Sequence, residues 1–106
     1  MTGFKRVYQV ELASGTGNVT KTELVNLNAI PDSLGISAGT GLAGDVGLGN
    51  PFSFPFVTIE SVLVLAPNLI AVTNDNNYPG SIGRHKGLNL PDDNEFILIK
   101  LARNLE

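Results

Sequence analysis

Residues 57–101, VTIESVLVLAPNLIAVTNDNNYPGSIGRHKGLNLPDDNEFILIKL, carry the strongest strand pattern in the chain. Residues 57–65 are mostly β-branched or aliphatic, and at their end both parities are apolar. That pattern predicts a central strand covered on both faces. Ala66, Pro67 and Asn68 then form a tight connection, and residues 69–73 form the return strand. Asn74, Asp75, Asn76 and Asn77, followed by Tyr78-Pro79-Gly80, break it with turn-forming residues. A polar, irregular stretch continues to Asp93. The last strand spans residues 95–101, with Phe96 and Leu98 on one face and Ile97, Ile99 and Leu101 on the other.

Upstream, residues 4–12 (FKRVYQVEL) alternate so that Tyr8, Val10 and Leu12 share a face, the period of a strand with one buried side. Ser14-Gly15-Thr16-Gly17-Asn18 has turn chemistry, and residues 19–27 form a second strand, so the two predict a hairpin. Between Pro31 and Pro55, residues 33–50 (SLGISAGTGLAGDVGLGN) hold six of the twelve glycines. Glycine at that density makes regular structure entropically costly, which predicts a long surface loop. It is no nucleotide loop: no buried strand precedes GTGLAG, no helix-forming segment follows, and no Gly-Lys-Ser/Thr occurs.

Five short strands at hairpin spacing predict an all-β, antiparallel fold. The expected form is a propeller-blade-like fragment, or a small sandwich or barrel, with a long Gly-rich loop. Residues 1–104 read as a single β domain cut from a larger one, and Leu105-Glu106 as a cloning scar.

The composition fits a chain that folds but has little solubilising surface. Hydrophobic residues make up 42% and charged residues 16% of the 106, against about 25% charged in ordinary domains. Part of the surface is therefore expected to face other protein. The net charge is -3 with only seven Lys and Arg, which gives no basic stripe for nucleic acid. With no cysteine, a disulfide framework, a thiol nucleophile and a Cys-ligated zinc are excluded. No apolar run reaches the roughly 18 residues of a membrane span, and residues 1–106 contain no signal-peptide pattern.

Candidate chemistry gathers after the strands. Glu60 interrupts an apolar strand, so it either meets a partner or faces solvent, because burying a lone carboxylate is costly. Asn74, Asp75, Asn76 and Asn77 offer hard oxygen donors suited to calcium or magnesium, or else an Asx turn that ends the strand. The stretch from Asp75 is no EF-hand loop, since Lys86 stands where a bidentate Glu is needed. Arg84 has the fork geometry to grip a phosphate, with His85 beside it as an acid; alternatively His85 faces solvent. Asp92-Asp93 reads as a metal pair or as a turn before the last strand. Asn18-Val19-Thr20 is a glycosylation sequon, meaningful only in a eukaryotic secreted protein.

IESVLVL, a short turn, a strand ending in NDNNYP, an SIGR segment and PDDNEFILIKL together resemble the C-terminal end of the phytase-type esterase-like domain. KRVYQVEL and VTKTELVNL resemble the strands before that end, so the similarity covers most of the chain outside the Gly-rich loop. The resemblance implies a propeller-like all-β parent, exported by bacteria to the periplasm, cell surface or medium, that hydrolyses phosphate or other esters of small molecules. It implies that Glu60, Asn74, Asp75 and Asn76 lie at strand ends facing a central site, holding a metal such as calcium or orienting substrate. Arg84 is then available for a phosphate. The chain departs from the family at Glu60-Ser61, where members have Glu-Gly, and at Tyr78-Pro79-Gly80, where many have a Phe-containing stretch. The expected function is a share of a hydrolase site that is inactive alone; the alternative is a non-catalytic extracellular binding or structural β module. Open sheet edges also predict self-association.

Overall fold

The computed structural model describes residues 3–12, 15 and 17–105. Ser14 and Thr16 of the expected hairpin turn lie outside the described residues. Five strands follow in order: β1 (Arg6–Leu12), β2 (Val19–Asn26), β3 (Thr58–Ala66), β4 (Leu69–Asp75) and β5 (Phe96–Lys100). All pairings are antiparallel, and the strands divide into a β1-β2 hairpin and a three-stranded sheet of order β3-β4-β5. The all-β expectation holds, and neither sheet closes into a barrel. A short 3-10 turn, Lys86–Leu88, is the one helical element among the described residues. No helix there is long and apolar enough to cross a membrane.

β4 takes the central place that the apolar run had suggested for β3. It pairs with β3 on one side and β5 on the other, and Ile70, Ala71 and Val72 are buried. β3 is an edge strand, and Val62, Leu63, Val64 and Leu65 are all exposed. Apolar residues on both parities say that a strand has two faces to cover. They do not say that the cover lies in the same chain. β5 follows its expected faces: Ile99 and Leu101 are buried, whereas Phe96 and Leu98 are exposed.

The hairpin also differs from its alternation. Val10 and Leu12 point into solvent, and it is Val7, Leu24 and Val25 that pack on the core. The register between β1 and β2 shifts after Val7, which pairs with Val25 while Tyr8 pairs with Glu23. The bulge leaves Leu24 unpaired and turns the strand, so only the hairpin's base reaches the core.

The two sheets share one core of Leu27, Phe52, Phe54, Phe56, Ile70, Val72, Ile99 and Leu101. Three of these aromatics come from PFSFPF, residues 51–56, at the end of the Gly-rich region. The segment alternates as an extended chain, with Phe54 against Phe56 edge to face at 4.8 Å, a favoured aromatic geometry. It is pinned by Ile30 and Phe52 exchanging backbone bonds and by the Phe54 amide donating to Leu27. Leu105 joins the core's margin and its amide donates to the Pro67 carbonyl. The radius of gyration is 15.4 Å, against about 13 Å for a compact domain of this length.

Candidate functional site

The polar residues singled out in the sequence come together between the end of β4 and the start of β5. The connection between these strands would be a floppy excursion without internal bonds, and the side chains supply them. Asp92 is buried and accepts the amides of Gly83 and Arg84, the latter at 2.9 Å. A side chain at Gly83 would run into the Pro55 carbonyl, so only glycine lets the loop come this close to residues 51–56. Asn74 is buried; its amide donates to the Asp93 carbonyl and its oxygen accepts the Glu95 amide at 2.6 Å.

Arg84 is the most buried large side chain of this group, 2% exposed. Its Nε and NH2 donate to the two oxygens of Glu95, each at 2.9 Å. NH1 donates to the Val46 carbonyl. The guanidinium also lies over the rings of Phe52 and Phe56, 4.9 and 5.5 Å from their centroids, a cation–π arrangement. The fork that suited a phosphate is thus filled by a carboxylate of the chain itself.

His85 stands between two carboxylates. Nδ1 is 2.6 Å from Asp45 Oδ1 and Nε2 is 3.1 Å from Asp93 Oδ2. Hydrogen bonds donated to Asp45 and then to Asp93 hold the imidazole pKa above its ordinary 6.5, since both favour the charged ring. Asp45 also accepts the Leu42 amide at 2.8 Å. That bond, followed by the one to His85, holds its carboxyl below the usual 3.8. Asp45 was not marked in the sequence because nothing in VGLG-type surroundings distinguishes a loop-building Asp from a solvated one. It anchors the Gly-rich region, as does Asp32, which accepts the amides of Ile36 and Ser37.

The oxygen donors proposed for a metal have local employment. Asp75 accepts the Asn77 amide, Asn76 accepts the Tyr78 amide, and the Asn77 side chain donates to Thr58. These are Asx turns that end β4 and fold the chain back. Glu60 sits exposed on β3 at a register irregularity, away from this network. Among the described residues no group of three or more His, Cys, Asp or Glu side chains is arranged to hold a metal ion. Asn74, Asp75 and Asn76 are instead engaged in bonds within the chain, and Glu60 stands apart from them on β3.

An open groove of about 1210 Å³ runs beside this network, lined by Glu23, Asp32, Asp45, Arg84, His85, Asp93, Glu95 and the length of β5. Its titratable lining is mostly acidic; Arg84 is paired with Glu95 and His85 with Asp45 and Asp93, and Lys100 at the end of β5 is a further cation on its wall. A phosphate there would meet carboxylates on several sides.

No family model, curated protein or solved structure matches the chain.

Proposed function

We propose that the chain is a non-catalytic framework unit of a larger β-rich protein, and that hydrolysis, where it occurs, belongs to that larger protein. One observation carries this: the sheet presents an open apolar surface, whereas its polar residues are consumed internally. On one side of β3-β4-β5, Leu63, Leu65, Phe96 and Leu98 stand exposed together, a concentration that marks a surface meant to be covered. Arg84, His85, Asn74, Asp75 and Asn76 meanwhile hold the loop between β4 and β5 in shape. The resemblance to phytase-type esterase-like domains supplies the class of the parent, an exported bacterial hydrolase of phosphate or other small esters. Substrate contacts and any calcium are then contributed by the parent's other blades.

The test is hydrolysis of p-nitrophenyl phosphate and p-nitrophenyl acetate by the full chain, with and without calcium. Rates equal to buffer are expected in all four conditions. Turnover above buffer that His85→Gln abolishes, with an unchanged circular dichroism spectrum, would overturn the proposal.

A further inference from the structure

Among the described strands, β3 alone exposes four successive aliphatic residues. Val62, Leu63, Val64 and Leu65 are 47, 59, 58 and 47% exposed. Successive residues of a strand point to opposite faces, so β3 is uncovered on both, and one backbone edge lacks a partner strand. Natural edge strands are blunted by Lys, Pro or inward charges. β3 has none of these between Ser61 and Leu65, and its only charge, Glu60, lies towards one end. The register irregularities against β4 fall at Glu60 and near Leu65, which leaves residues 61–64 as a regular ladder.

Resting on the framework reading above, we propose that the partner of this edge is a second copy of the chain. The two β3 strands pair antiparallel about a twofold axis through Leu63. The sequence TIESVLVLA is self-complementary in that register. Leu63 falls opposite Leu63, Val62 opposite Val64, Ser61 opposite Leu65, and Glu60 opposite Ala66. Aliphatic residues therefore meet aliphatic residues at Leu63 on one face and at Val62 and Val64 on the other, with no like charges opposite each other. The two Glu60 carboxylates stand six residues out of register, about 20 Å apart at strand rise, beyond the roughly 8 Å over which charges act in physiological salt. A heterologous partner would have to match two apolar faces and a negative end at once; this strand matches itself. The product is a continuous six-stranded sheet, β5-β4-β3-β3-β4-β5, closed at two copies because the contact is isologous.

Cysteine trapping tests it, and the chain's lack of cysteine makes the result clean. Leu63→Cys brings two sulfurs opposite each other, within the roughly 4.4–6.8 Å Cα separation that a disulfide needs. Most of this variant should form a covalent dimer under mild oxidation, and Glu60→Cys only a trace. Light scattering at about 100 µM should give a dimer for the parent chain and a monomer for Leu63→Lys with the same circular dichroism. Equal crosslinking of the two cysteine variants, a monomeric parent, or open-ended oligomers would overturn the pairing. None of those outcomes touches the hydrolysis assay, so the two proposals fail separately.

Discussion

Replacing Arg84 with methionine removes a charge from the middle of the polar network while keeping most of the side chain's length. The consequence follows from what is left behind. Glu95 loses both of its 2.9 Å partners and the Val46 carbonyl loses its donor. Removing one member of a buried ion pair costs about 3–5 kcal/mol. The Glu95 side chain keeps 27% of its surface exposed, so water recovers part of its solvation and the low end, about 3 kcal/mol, applies. The stability of a domain is about 5–15 kcal/mol, so this is a large share. Urea unfolding followed by circular dichroism, at roughly 1–3 kcal/mol per molar, should show a midpoint about 1–3 M lower. The double variant Arg84→Met, Glu95→Leu should regain most of the loss, because no charge then remains unpaired. A single variant whose midpoint lies within about 0.3 M of the parent would refute the reasoning. The guanidinium would then be a solvated, uncommitted group, free to meet a phosphate after all.

Two further outcomes follow. The raised imidazole pKa of His85 stabilises the fold fully below its unfolded value of 6.5 and is lost as pH rises through the higher folded value; the lowered carboxyl of Asp45 acts above 3.8 and is lost as pH falls through its folded value. Attachment of the Gly-rich region should thus be firmest between these two limits. Protection of the Leu42 amide in hydrogen exchange should fall on the alkaline side, and an NMR titration placing His85 below 6.5 would sink the idea. In the core, Val72→Ala at a fully buried position should cost about 2 kcal/mol, whereas Val64→Ala on β3 should cost under about 0.5 kcal/mol. Both are compared at protein concentrations low enough to keep the chain unpaired, and equal losses would contradict the edge position of β3.

Much of the strand content was legible. The five strands lie within two residues of where apolar patterning puts them, and the two faces of β5 were readable from its two-residue period, although both carry apolar residues and the pattern did not say which is buried. The two faces of β3 were readable as apolar and not as exposed. Periodicity records what a side chain prefers, and only three-dimensional neighbours decide whether it gets it. PFSFPF was overlooked because the glycines before it suggested loop throughout; the spacing of Phe52, Phe54 and Phe56 was the signal that this part is extended and buried.

In the candidate site, residue types pointed to the right region and left their roles open. Asn74 to Asn77, Arg84, His85, Asp92 and Asp93 do converge around one loop, because buried polar groups such as Asn74, Arg84 and Asp92 must bond to something. Whether that something is a ligand or the chain itself depends on partners far away in sequence. Glu95 is eleven residues from Arg84, and Asp45 is forty from His85.

The sequence by itself determined the all-β character, the strand positions and the excess of apolar over charged surface, since these depend on local patterning and composition. Only the tertiary structure decided that β4 and not β3 is central, that Arg84 is held by Glu95, and that an apolar edge remains open. Each of these depends on which distant segment comes alongside, and that is settled by packing, not by the pattern of any one segment.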